Sequence, residues 1–293
     1  MRGWWLPLLA TLVACGDDNT GTGTGTPPES PNTLSSVSLD GAVALTWSDN
    51  PFQADPGLFQ NYRVYTTSFN IDANPPQCGT NWTLEGTTVA PEFLVGALEN
   101  GVPHCFSVTA FSVDGVESDR SPTRPDTPRP DARNVVLFAA QERADASGFR
   151  FWDDLNNDDQ AQIPELGLVR NAHDASVDFF VDRDLSGDLF LTPVRAGTGV
   201  EYADDTRPVE DLTSIDFAPD QIYETTGIQA VPGFGYIFEM DGQDGFKRYG
   251  ALRVTHVGQD FLIFDWAFQT DPGNPELMVA SGGRLLQHAR IRP

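Results

Sequence analysis

Residues 98–118 read LENGVPHCFSVTAFSVDGVES, and this stretch decides the fold class. His104, Phe106, Val108 and Ala110 fall on alternate positions, the period of a strand with one buried face. Leu98-x-Asn100-Gly101 leads into the run, and Asp114-Gly115 makes a tight turn before Val116-Glu117-Ser118. Cys105 has the opposite parity to Phe106, so its side chain is predicted to face away from the buried row. Upstream, Val43, Leu45 and Trp47 alternate in the same way, as does Tyr62-Arg63-Val64-Tyr65. Short strands at this spacing predict a β-sandwich over residues 34–120.

In combination these residues resemble the fibronectin type III family. The matches are Trp47, Tyr62-x-Val64-Tyr65, Leu98-x-Asn100-Gly101, His104-x-Phe106-x-Val108-x-Ala110 and Gly115-x-Glu117-Ser118, covering nearly all of 34–120. The family carries a tyrosine where His104 stands, and its hydroxyl ties a corner to nearby backbone. Here an imidazole must make that tie, or the tie is absent. Because His104 occupies a framework position, it is read as a structural histidine rather than a ligand. There is no Arg-Gly-Asp in the chain, so the resemblance implies no cell adhesion.

Residues 133–293 also read as β. The runs are Val135–Ala139, Phe149–Trp152, Val177–Val181, Leu189–Val194, Tyr236–Met240, Leu252–Val257 and Phe261–Phe268. Leu262, Phe264, Trp266 and Phe268 share one face, and Gly258-Gln259-Asp260 supplies a hairpin turn. No run keeps a helical period beyond about two turns. Phe234–Leu277 is similar to part of the HmuY-like family of bacterial surface lipoproteins. The similarity rests on Gly235-Tyr236, Asp244-Gly245, Tyr249-x-x-Leu252-x-Val254 and Phe264-x-Trp266-x-Phe268-Gln269, and departs at Ala251, where the family commonly has Lys. It implies haem binding, by ligands that vary between members and fall outside the matching stretch. The expected fold class is all-β: a fibronectin type III-like sandwich followed by a second all-β domain.

The chain has 293 residues, with 42 Asp+Glu against 18 Lys+Arg and a formal charge of −24. Such acidity repels phosphate backbones, so nucleic acid is not an expected partner. Lys247 is the only lysine; every other basic residue is Arg. Met1-Arg2, the apolar run Trp4–Ala14 and Leu12-Val13-Ala14-Cys15 resemble the signal of a bacterial lipoprotein. The resemblance implies removal of residues 1–14 and lipidation of Cys15, and with it a membrane partner through acyl chains and a cell-envelope, outer-membrane location, periplasmic or surface-exposed. Residues 15–33 read as a Gly/Thr/Pro tether, and residues 121–132, with Pro122, Pro125, Pro128 and Pro130, as an extended linker.

Setting Cys15 aside leaves Cys78 and Cys105, an even pair in an oxidising compartment, and a disulfide is expected between them. It would pin the 66–90 connection across the outer face of the sandwich. Asn81-Trp82-Thr83 matches a glycosylation sequon, but a bacterial lipoprotein is the wrong setting for it.

Two acidic runs are candidate calcium sites. Asp154-x-Asn156-x-Asp158 places side-chain oxygens at alternate positions, and Glu165 stands at the far end of the spacing of a calcium loop of about twelve residues. Asp159, however, occupies the position that loop gives to Gly. Asp182-x-Asp184-x-Ser186-Gly187-Asp188 has the Gly but no terminal acid. Solvated acidic turns are the alternative for both. Candidate haem ligands are His256, His173 and Met240, with His288 and Met278 further along. His256 shares the parity of Leu252 and Val254 and is otherwise expected to close a core face.

No Gly-x-Ser-x-Gly, His-Glu-x-x-His or phosphate-cradling loop is present, and no enzyme is expected. The reading is a non-catalytic binding or scaffolding module of the cell envelope with a protein or small-molecule ligand. Haem capture and calcium-dependent carbohydrate binding are the alternatives, with Trp152 or Tyr223 as contact aromatics.

Overall fold

The computed structural model describes residues 25–162 and 164–277. The signal segment, Cys15, most of the tether, Met278 and His288 lie outside the described residues. Among the described residues helix is confined to Asn50–Ala54, Ala140–Arg143 and two single 3-10 turns, so their architecture is all-β and multi-sheet.

The first half contributes β1 (Leu34–Leu39), β2 (Ala42–Trp47), β3 (Phe59–Asn70), β4 (Gln77–Cys78), β5 (Thr83–Thr88), β6 (Glu92–Val95), β7 (His104–Ser112) and β8 (Arg124–Asp126). One sheet has the order β1-β2-β6; the other runs β4-β3-β7-β8, with β5 also paired to β3. This is a fibronectin type III-like arrangement. The alternating rows of β2, β3 and β7 meet as predicted: Val43, Leu45, Trp47, Tyr62, Val64, Phe106, Val108 and Ala110 form one core with Val95. Trp47 and Tyr62 pack edge to face at 5.3 Å.

The opposite face of β7 is buried too. Cys105 is bonded to Cys78 and fully buried beside Phe69 and Ile71, in a small cluster separate from the main core. His104 is half-buried, its Nε2 has no hydrogen-bond partner, and burial lowers its pKa. The corner tie implied by the family resemblance is therefore absent.

Residues 121–132 are not a free linker. Arg124–Asp126 pairs with β7 as an edge strand, where proline is tolerated because no ladder N–H is needed of it. Residues 124–130 are all buried. The end of the tether also docks: the Asn50 amide donates to Glu29 and to the Ser30 carbonyl.

The second half contributes β9 (Asp131–Phe138), β10 (Gly148–Trp152), β11 (Leu166–Arg170), β12 (Phe179–Arg183), β13 (Leu189–Pro193), β14 (Thr198–Tyr202), β15 (Ile228–Gln229), β16 (Gly235–Asp241), β17 (Lys247–Val257) and β18 (Phe261–Gln269). They form two five-stranded sheets, β11-β10-β12-β13-β15 and β14-β16-β17-β18-β9. Between them lies an aromatic core of Phe149, Phe151, Phe179, Phe238, Phe264, Trp266 and Phe268 with aliphatic neighbours. Phe179 stacks on Phe238 across the sheets at 4.6 Å. Each such fully buried ring contributes about 1.5–3 kcal/mol over its exposed state. Gly250 on β17 makes room for this layer, since a Cβ there would lie 2.7 Å from the Phe151 ring.

The outer face of the second sheet is covered by segments from 203–227. Leu212, Ile215, Ala218 and Tyr223 pack on Ile237, Tyr249, Ala251 and Ala267. Tyr223 is thus buried, 8% exposed, and is not the surface contact its sequence position suggested. A bulge between Val254 and His256 breaks the parity of β17 and leaves His256 exposed rather than on the core face.

A polar junction joins the halves. Thr127 Oγ1 donates to Glu276 at 2.8 Å, Asn274 Nδ2 donates to Thr127 Oγ1 at 3.1 Å, and Arg129 Nε donates to the Leu277 carbonyl. Asp126 accepts from Ser38 and from the Thr127 N–H. These groups are buried. Burial raises the pKa of both Asp126 and Glu276.

A cleft and an acidic loop at one end of the second sandwich

Loop 153–165 leaves β10 and returns as β11. Asp154 Oδ1 accepts from the Asp158 N–H at 3.1 Å, and Oδ2 accepts from the Asp159 N–H at 3.1 Å. Asn156 Oδ1 accepts from the Asp158 N–H at 3.0 Å. These Asx turns curl the loop inward. Asp159, at the position where a calcium loop carries Gly, takes a φ of +58, so the left-handed turn forms without glycine.

Candidate ligand oxygens of Asp154, Asp158 and Glu165 lie within 4.8 Å of one another. Glu165 is 3% exposed; its Oε1 accepts from the Leu155 N–H at 3.1 Å and its Oε2 from Trp152 Nε1 at 3.4 Å. The amides of Asn156 and Gln162 donate to Asp158 Oδ2 at 3.0 and 2.9 Å. A cation here would compete with those donors for Asp158.

The other predicted cluster is an ordinary hairpin turn between β12 and β13. Asp184 Oδ1 caps the N–H groups of Ser186 and Asp188, and Gly187 takes a φ of +95. Asp182 accepts from Gln141. Among the described residues only Asp154, Asp158 and Glu165 form a converging group of three or more metal-binding side chains.

The acidic loop borders a cleft of about 640 Å³. Asp154 and Asp159 stand on one wall, Trp152 and Phe268 on another, and three arginines, Arg150, Arg195 and Arg248, come from β10, the β13–β14 turn and β17. Asp178 is 1% exposed and sits among them. Its Oδ1 accepts from Arg195 Nε at 2.9 Å and its Oδ2 from the Phe151 N–H at 2.8 Å. Burial raises its pKa, and the Arg195 charge opposes that rise. On the rim, Asp174 has a lowered pKa, chiefly through the hydrogen bond from the Ser176 N–H. The Arg248 guanidinium lies over the Trp152 ring, 5.7 Å from its centroid.

The haem candidates do not assemble here. Met240 lines the cleft but is 1% exposed and belongs to the core. His173 and His256 are exposed, and neither lines the cleft.

No protein-family model matches the chain, and no curated protein matches it. Among solved structures, an Fn3-like protein from Clostridium thermocellum is 21% identical over 34% of this chain and 92% of its own, with a TM-score of 0.26. The domain of human fibronectin type III domain containing protein 3 is 18% identical over 38% and 94%, with a TM-score of 0.29. A DUF4466 family protein from Parabacteroides merdae is 10% identical over 81% and 99%, with a TM-score of 0.36.

The arginines were missed in the sequence because each comes from a different segment. The available signal was compositional: a strongly acidic chain whose basic residues are nearly all Arg.

Proposed function

We propose that this chain is a non-catalytic binding protein of the bacterial cell envelope, held to the membrane through Cys15. Its ligand seat is the cleft of the second sandwich, and the 154–165 loop is a calcium site that shapes one wall. The first sandwich serves as a spacer. Support for the seat comes above all from Asp154, which is at once a member of the converging carboxylate group and a lining residue of the cleft. A hard cation wants a convergence of oxygens such as Asp154, Asp158 and Glu165 provide, and binding there would fix the loop that walls the cleft. Of the ligand classes open to such a site, a carbohydrate fits best. Trp152 offers a ring for a sugar face, and the surrounding carboxylates and Gln243 offer partners for hydroxyl groups.

Thermal unfolding with calcium and with a chelator tests the cation. At about a hundredfold excess over Kd, calcium stabilises by about 2.7 kcal/mol, a rise of roughly 5 °C or more for a domain of this size. Glu165→Gln is expected to abolish the rise. A melting temperature indifferent to calcium would remove the cation from this reading.

A further inference from the structure

We infer that the cleft selects saccharides that carry a carboxylate, of the uronic-acid type, over neutral ones. This rests on the cleft being a sugar seat, and it deepens that reading by naming the ligand class. The chain has 18 basic residues against 42 acidic ones, yet three arginines line this one cleft.

Their hydrogen bonds divide them by role. Arg150 is consumed by the fold: Nε donates to the Trp152 carbonyl at 2.8 Å, Nη1 to the Ser176 carbonyl, and Nη2 pairs with Asp153 at 3.0 Å. Arg195 is held by Asp178 and by the Asp241 carbonyl at 3.0 Å, which leaves its Nη2 uncommitted among the described residues. Arg248 is 6% exposed; its Nη1 and Nη2 donate to the two carboxylate oxygens of Asp244 at 3.4 and 2.7 Å, while its buried Nε has no acceptor. One donor is left on each of two fixed guanidinium groups that line one cleft, Nη2 of Arg195 and Nε of Arg248, and such a pair suits a planar carboxylate.

The acidic neighbours narrow the class. Asp154, Asp159, Asp174 and Asp178 line the same cleft. They repel a dianion such as a phosphate monoester more strongly than a monoanion. They also accept hydroxyl protons, as a sugar ring beside its carboxylate requires. Trp152, steadied by Arg248, supplies the apolar face for the ring.

Calorimetry on the full mature chain tests this, titrating a galactan oligomer that carries a single terminal galacturonate and a neutral galactan oligomer of equal length, each with calcium and with chelator. The acidic oligomer is expected to bind at least about tenfold more tightly, the value of one charge-assisted hydrogen bond. Arg248→Lys keeps the charge but loses the fork. It is expected to erase that preference while binding of the neutral oligomer is retained. Arg195→Lys provides an independent second variant.

Equal affinity for the two oligomers, or preference for the neutral one, overturns the inference and leaves the sugar seat standing. No binding of the acidic oligomer, in a chain that calcium still stabilises, overturns it and leaves only the cation site. Arg-dependent acidic binding that ignores both calcium and chelator supports the inference and removes the cation from the function.

Discussion

The indole Nε1 of Trp152 donates to Oε2 of Glu165 at 3.4 Å, so one hydrogen bond joins the wall of the cleft to the terminal acid of the loop. A cation drawing on Glu165 would therefore act on the position of Trp152 as well.

Replacing Trp152 with Phe removes the donor and keeps much of the ring. In calcium-free buffer the loss is expected to cost about 0.5–1.5 kcal/mol. The parent protein should change its tryptophan emission on calcium addition, and Trp152→Phe should lose that change while still gaining thermal stability from calcium. Emission titrations of the two proteins, paired with melts, decide it.

The Cys78–Cys105 bridge closes a separation of 27 residues. Chain-entropy reasoning gives about 3–4 kcal/mol for a loop of that length. Cys78→Ala with Cys105→Ala should lower the urea midpoint by the corresponding amount. The loss should be confined to the first sandwich, with saccharide binding retained. An unchanged midpoint would show that the 66–90 connection is held by its other contacts.

The buried junction gives a pH dependence of defined sign. Burial, then the nearby Asp126 charge, pushes the Glu276 pKa from 4.5 up to about 8. Between those values the carboxyl is protonated in the folded chain and ionised in the unfolded one, so the unfolded state binds fewer protons. This group's contribution is therefore full below about 4.5 and is lost as pH rises through about 8. Unfolding free energy should fall with rising pH across that window, by at most about 1.4 kcal/mol per pH unit for a single group. Glu276→Gln should flatten the slope; a slope identical to the parent's would place its origin elsewhere.

Gly250→Ala tests the packing of the second core. The added methyl would meet the Phe151 ring at 2.7 Å, inside a layer with no slack. A cost of about 1–3 kcal/mol is expected. Gly167→Ala should cost more, because its φ is +65 and the new Cβ would lie 2.2 Å from the Trp266 ring. Denaturant melts of the two variants should rank them in that order.

Local alternation made much of this fold legible. The rows Val43-Leu45-Trp47, Phe106-Val108-Ala110 and Leu262-Phe264-Trp266-Phe268 all lie in cores. Parity failed at His256, where a bulge shifts the count by one, an event side-chain chemistry alone does not announce. It was also silent on the reverse face of β18. Asp265 and Gln269 are polar by pattern but buried, Asp265 against Arg133 and Asn134 and Gln269 under the 271–276 segment. Proline density misled at 121–132, because an edge strand tolerates the same residues as a free extended chain. The acidic loop was readable because its oxygens are close in sequence. The arginine wall was not, because it is assembled from separate segments by the packing of two sheets.

Residues 127–130 have a mechanical consequence. They are the whole chain between the end of β8 and the start of β9, and at full stretch they span about 14 Å. Pulled from its two ends, the molecule would load both sandwiches in series with almost no slack to take up first. Under shear the junction would act as a stiff coupling.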